Sequence, residues 1–250
     1  MEIDNFIDIE TEQLITKNIK EHGYHLGVID GDEYLPSFAF TIGLYKTYNH
    51  PEIIIFGLSK EVMQVALNTI CQNIQKKTTY TTATDYSDIL NKYPVQFVEV
   101  AKDNYFNYLD YCSYFYDNTP NFPALQLVWT DKQGHFPWDK QFDEEWKFNQ
   151  PLLDRNTDFK FYEEKELEVY TTKYTLQGNP ILWVYHTHDG DWEFHSEEHP
   201  DIDNVQTITL GDLVQKDKSL NDVHILSYGQ SAVRKDIDSP WEFADYEEED

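Results

Sequence analysis

The run EIIIFGL, Glu52 to Leu58, constrains this chain more than any other stretch. Four consecutive bulky apolar residues, Ile53 to Phe56, suit a strand and leave no polar side for water. Such a strand must be covered on both faces, so it belongs inside a sheet with other elements packed above and below. Its sequence neighbours agree. SFAFTIGL (Ser37–Leu44) reads as a second strand. Ser59 caps a following helix, with Val62, Val65, Ala66, Thr69, Ile70 and Ile74 near helical spacing. The polar segment YKTYNHPE between the two apolar runs then reads as a strand connection at one end of the sheet. Pro51 sets the entry into the next strand because it cannot donate to a ladder, and Gly43 and Gly57 permit close backbone approach.

The same reading extends along the chain. Thr11–His22 reads as a helix capped by Thr11 and ended by Gly23. Tyr24–Ile29, Val95–Val100 and Ala124–Trp129 read as strands, with an aromatic segment from Tyr105 to Tyr116. Asp154–Glu166 is polar, charged and aperiodic, which marks a linker. Beyond it Val169–Leu176, Pro180–Thr187, Asp191–His195 and Val205–Leu210 read as strands, with Asp189-Gly190 as a two-residue hairpin turn. Aromatic residues make up 16% of the chain, a strand-forming composition. The fold expected is α+β. A mixed, barrel-like sheet domain with flanking helices spans residues 1–155, and a small antiparallel sheet module with one or two helices spans 166–245. An acidic tail, 246–250, follows.

The formal charge of −27 excludes one large class of function. Nucleic-acid binders concentrate positive charge to neutralise phosphates, and this chain has only two arginines, Arg155 and Arg234. Such charge suits solvated faces, or steering toward a basic protein partner. No apolar run approaches the roughly 20 residues that span a bilayer. MEIDNFIDIE lacks the basic-then-apolar pattern of a signal peptide, so the cytoplasm is the expected compartment. Two cysteines, Cys71 and Cys112, make no metal or disulfide framework; Cys71 falls on the second expected helix and reads as a packed thiol.

HGYHLGVIDGDEYLPSFAFTIGLYKTYNHPEIIIFGLSKEVMQVALNTI resembles the start of the bacterial domain-of-unknown-function family 4262. LQLVWTDKQGHFPWDKQFD and QPLL (Gln150–Leu153) resemble its later pattern, so the likeness covers most of residues 20–153. The family brings no activity with it. Its strand–strand–helix order is similar to flavin-binding split barrels, a likeness of fold that does not fix function. The stretches VYTTKYTL, ILWVYHTHDGDWEFH, TITLGDLVQKDKSL and DSPW resemble modules that accompany predicted toxin-immunity proteins, DGDWEF being the most specific part.

Three chemistries deserve weighing. A flavin, FMN, would need donors for its phosphate; the candidate pocket is Phe38, Phe40, Thr41, Gly43, Lys46, His50 and Phe56, with Phe38, Phe40, Ile42 and Phe56 as its floor. The bland alternative is a structural turn in which His50 bonds locally. In HTHDGDWEFHSEEH, a turn at Asp189-Gly190 places His186, His188 and His195 on one sheet face beside Asp191 and Glu193, with Trp183, Tyr185, Trp192 and Phe194 on the other. Three imidazoles among carboxylates offer zinc ligands, although a flat sheet face seldom converges them, and a solvated polar face is the simpler account. No GxSxG, HExxH or Walker loop is present. A non-enzymatic binding protein remains, of the immunity type, with Asp189, Asp191, Glu193, Glu197 and Glu198 as contacts for a basic partner such as a toxin. A flavin- or small-molecule-binding oxidoreductase domain is the alternative.

Overall fold

The computed structural model describes residues 8–154 and 159–246. Most of the N-terminal stretch read for a signal, Arg155 in the expected linker, and the acidic tail from residue 247 on lie outside the described residues. The chain divides into two compact units, Met1–Gly31 with Pro36–Asn156, and Asp32–Leu35 with Thr157–Asp250.

The first unit opens with α1 (Ile9–His22). Its N-cap is Asp8, three residues before the expected Thr11, and the Asp8 carboxylate accepts from the Thr11 N–H. Gly23 ends the helix in the left-handed region, φ 87°. There follow β1 (His25–Ile29), β2 (Phe38–Ile42), α2 (Leu44–Tyr48), β3 (Glu52–Phe56), α3 (Lys60–Gln75), β4 (Tyr86–Leu90), β5 (Tyr93–Glu99), α4 (Tyr105–Tyr108), α5 (Asp110–Phe115) and β6 (Ala124–Trp129). The segment expected as a plain polar loop therefore holds a short helix, α2, entered through Gly43 at φ 99°.

The strands form one six-stranded sheet in the order β1-β2-β3-β6-β5-β4. The pair β3–β6 is parallel and the others are antiparallel. The barrel-like expectation gives way to an open sheet, because β1 and β4 stand at opposite edges with no ladder between them. The apolar run lies in the middle, as its composition requires. Ile53 and Ile55 pack with Met63, Ala66, Leu67 and Ile70 of α3 in one core cluster. Ile54 and Phe56 pack in a second with Tyr105, Tyr108, Leu109 and Cys112 of the α4–α5 segment. Burying these four side chains contributes roughly 6–12 kcal/mol by area transfer. Cys71 and Cys112 are both free and buried.

The second unit contains β7 (Glu168–Thr172), α6 (Lys173–Leu176), β8 (Trp183–His186), β9 (Trp192–His195), β10 (Val205–Thr209), α7 (Leu210–Lys216), β11 (Gln230–Val233) and β12 (Glu242–Asp245). VYTTKYTL thus changes from strand to helix midway. Thr172 turns it by capping α6, its hydroxyl accepting from the Thr175 N–H. The sheet order is β10-β7-β9-β8-β11-β12. The sheet expected to be antiparallel is mixed, since β7 runs parallel to β9. Its core gathers Val169, Val184, Trp192, Phe194 and Ala232 from the strands with Leu210, Leu213 and Val214 from α7.

Candidate functional site

The His-Pro-Glu motif at the start of β3 is a hydrogen-bonded clasp. Glu52 is fully buried. Its carboxylate accepts from the Thr41 hydroxyl at 2.6 Å, the Gly43 N–H at 2.9 Å, the Tyr45 N–H at 3.1 Å and the Tyr116 phenol. Burial pushes its pKa up, and the four donors pull it back. Thr41 also accepts from the Ile53 N–H at 2.9 Å, so one hydroxyl ties the end of β2 to β3. His50 is 3% exposed. Its Nε2 accepts from the Tyr80 N–H at 3.2 Å, which leaves Nδ1 to donate to the Pro51 carbonyl at 2.8 Å. Burial lowers its pKa, and the ring is neutral in this tautomer. The motif ties β2, α2 and β3 to one another and to Tyr80, Tyr116 and Pro123 from other segments.

The residues expected to form a pocket lie in and around this clasp. Phe40, Ile42 and Phe56 are buried. Phe38 packs against Phe40, Phe56 and Tyr108 with ring centroids 6.1, 5.3 and 5.6 Å apart. These rings pack against one another. Thr41, Gly43 and His50 point their polar groups into the clasp, and the Lys46 ammonium sits 4.9 Å from the Phe115 ring centroid. The helical aromatic segment supplies the covering rings, which the sequence pattern alone did not place.

The histidines of the second unit separate. Residue His186 pairs with Trp192, Tyr185 with Glu193, and Trp183 with His195. The hairpin turns through Thr187–Asp191, closed by Thr187 N–H to the Asp191 carbonyl at 2.8 Å and Gly190 N–H to the Thr187 carbonyl at 3.0 Å. Gly190 takes φ 90°. The loop is one residue longer than the two-residue turn expected at Asp189-Gly190, and one residue of register exchanges the faces of one strand relative to the other. His186 accordingly points into the core, stacked on Trp192 at 3.9 Å, with Nδ1 donating to the Leu226 carbonyl at 2.7 Å. His195 lies on the opposite face, bonded to Glu193 at 3.0 Å. His188 is at the exposed tip. Among the described residues no group of three or more His, Cys, Asp or Glu is placed to hold a metal ion.

The same register creates a face that the sequence reading had distributed otherwise. Tyr170, Trp183, Tyr185 and Glu193 share the side of the sheet away from its core. Tyr170 is 38% exposed, and Trp183, Tyr185 and Glu193 are half-buried. Asp189 and Asp191 are exposed at the hairpin tip; beyond β9, Glu198 is exposed and Glu197 is half-buried. The two candidate contacts nearest the tip therefore stand off this aromatic patch, and Glu193 sits within it. Arg234, the one arginine among the described residues, is interior. Its guanidinium donates to the Ile181 carbonyl, the Ser219 hydroxyl and Asp217 at 2.8, 2.7 and 2.6 Å.

A third feature lies at the carboxyl ends of the parallel strands β3 and β6, where open sheets commonly bind ligands. Leu58, Leu90, Tyr93, Trp129, Thr130, Asp131, Lys132 and Trp146 line a cleft of about 250 Å³. Its back wall is fixed. The Trp129 indole N–H donates to the Phe56 carbonyl at 2.8 Å, and the Gln150 side chain bonds the Trp129 N–H and carbonyl at 3.1 and 2.7 Å. Asp131 holds the next loop by accepting from the N–H groups of Gln133, His135 and Asp143. Sequence reasoning missed this cleft; the signal available was the cluster of Trp and polar residues in LVWTDKQGHFPWD.

An open mixed sheet with a helix layer on each side and a clasped His-Pro-Glu turn defines the first unit of a two-unit α+β protein. The model described as Domain of unknown function (DUF4262) matches residues 18–143, and the chain belongs to that family. QPLL, which supplies Gln150 to the clasped wall, falls beyond the matched residues. No curated protein and no solved structure matches the chain. Among the described residues, no helix is long and apolar enough to cross a membrane.

Proposed function

We propose that this chain is a non-enzymatic binding protein that captures a basic protein partner, in the manner of an immunity protein neutralising a toxin. One observation carries the reading: Tyr170, Trp183 and Tyr185 surround Glu193 on the sheet face turned away from the second core. Half-buried aromatic rings are the anchors that interfaces use, and carboxylates beside them select a cationic partner. The charge of −27 supplies long-range steering. The likeness of the DGDWEF hairpin to modules accompanying immunity proteins agrees with it. The test is affinity capture from the native host, followed by kinetics on the captured protein. The reading expects a basic partner whose association slows steeply with salt and whose complex is weakened by Tyr185→Ala and Glu193→Ala. A captured protein that binds these variants and the parent alike, or associates independently of salt, overturns it.

A second reading, a small-molecule-binding domain, is favoured by the aromatic cleft at the ends of β3 and β6. With the Phe38–Phe56 rings packed on one another, a flavin or other small ligand is better sought there than at Lys46 and His50.

A further inference from the structure

The cleft of the first unit has a composition unlike the rest of this acidic chain. Five of its eight lining residues are apolar or aromatic: Leu58, Leu90, Tyr93, Trp129 and Trp146. Trp129 and Trp146 meet edge to face, with ring centroids 6.0 Å apart and planes at 80°. Such a corner accepts a further flat ring, stacked on one indole and edge-on to the other. The volume of about 250 Å³ lies under the roughly 300–1,000 Å³ of pockets for drug-sized molecules. It suits one ring or two fused rings.

Two polar groups stand at the same cleft. The Lys132 ammonium lies 4.7 Å from the Trp146 ring centroid and makes no ion pair among the described residues. The carboxylate nearest in sequence, Asp131, is engaged by its own loop and by His135 Nδ1 at 3.2 Å. Thr130 is 5% exposed, and its hydroxyl has no hydrogen-bond partner among the described residues. A buried hydroxyl left unpaired is unfavourable, and an acceptor placed beside it in the cleft would relieve it. One donor hydroxyl and one free ammonium, adjoining an apolar corner, match an anionic oxygen pair on a flat apolar body.

We propose that this cleft binds a small aromatic carboxylic acid, with the ring against Trp129 and Trp146 and the carboxylate received by Lys132 and Thr130. The inference concerns the first unit alone and stands or falls independently of protein capture by the second.

The experiment is a titration of the full chain with indole-3-acetate, indole and tryptamine, read by calorimetry and by tryptophan fluorescence. Indole-3-acetate is expected to saturate one site, at least about tenfold more tightly than indole, with tryptamine weaker still. Lys132→Ala should bring indole-3-acetate down to the level of indole. Thr130→Val should weaken the acid without altering indole, and Trp146→Ala should weaken both. Lys132 is a surface side chain, so its variant folds even if a tryptophan variant does not. Absence of saturation by indole-3-acetate overturns the site. Equal affinity for acid and neutral indole, or an unchanged Lys132→Ala, overturns the carboxylate assignment.

Discussion

His186 stacks on Trp192 across the β8–β9 ladder, with ring centroids 3.9 Å apart and planes at 13°. The pair shows what the hairpin loop decides. With a two-residue turn, His186 would share a face with His195; with the longer loop closed by Gly190, it joins the core and His195 does not.

The clasp at Glu52 predicts an ordering of two substitutions. Thr41→Val removes both the bond to Glu52 and the acceptor of the Ile53 N–H, leaving a buried donor unpaired. Tyr116→Phe removes one donor and leaves Glu52 three. Thr41→Val should cost about 2–3 kcal/mol and Tyr116→Phe about 1–2 kcal/mol. Urea denaturation measures both; a cost for Thr41→Val no greater than for Tyr116→Phe would refute the role given to its hydroxyl.

Gly57 should not tolerate alanine. Its φ is +69°, and a Cβ there would stand 1.9 Å from the Asn149 carbonyl oxygen. The contact is with backbone, which cannot swing aside. Gly57→Ala should destabilise the first unit by 2 kcal/mol or more, on the order of the strain and overpacking terms together. It should also weaken ligand binding at the adjoining cleft, whose Trp129 indole is anchored on the Phe56 carbonyl. Thermal unfolding of Gly57→Ala at the parent midpoint would contradict this.

Arg234 should resist conservative replacement. Its guanidinium reaches four acceptors in different directions and lies 4.2 Å from the Trp241 ring centroid. Lysine offers a single ammonium and cannot reproduce the planar fork. Arg234→Lys should lose about 2–4 kcal/mol, chiefly by leaving half-buried Asp217 and the Ile181 carbonyl short of donors. Chemical denaturation of the full chain checks it, and a loss under about 0.5 kcal/mol would count against it.

Acid should weaken the second unit through His224. This ring is buried, with Nδ1 donating to the Asn221 carbonyl at 2.8 Å. Burial, the largest cause, lowers its pKa from 6.5 to about 4. Below pH 6.5 the unfolded chain binds a proton that the folded chain refuses, so stability falls with pH until about pH 4 and then levels off. A fall from 6.5 to about 4 corresponds to on the order of 3 kcal/mol. His224→Gln should remove this slope, so the stability difference between variant and parent narrows or reverses between pH 7 and pH 4. Parallel denaturation curves at both pH values would exclude the effect.

Much of the fold was legible because short-range chemistry specifies it. Ser59 capped α3, Gly23 ended α1, and the run Ile53–Phe56 found a core on each face. The features that escaped are those in which local preference was weak or divided. Lys173–Leu176 follows strand-forming residues, yet Thr172 caps a helix there. β4, β11 and β12 lie at or near the sheet edges, and none shows a clean alternation of buried and exposed residues. Site residues were less legible than elements. His50, Thr41 and Glu52 were visible as a polar motif, but their conversion into an internal clasp depends on Tyr80 and Tyr116, which come from distant segments.

Sequence by itself determined the two-faced central strand, the α+β class and the acidic surface, which follow from composition and periodicity within a few residues of chain, and the family, which follows from the motifs that resemble it. Tertiary structure alone decided which histidines share a face, where the aromatic cleft opens and which carboxylate is buried. Those outcomes hang on a one-residue loop length and on contacts between residues such as Gln150 and Trp129, and neither quantity is expressed in the local pattern of either partner.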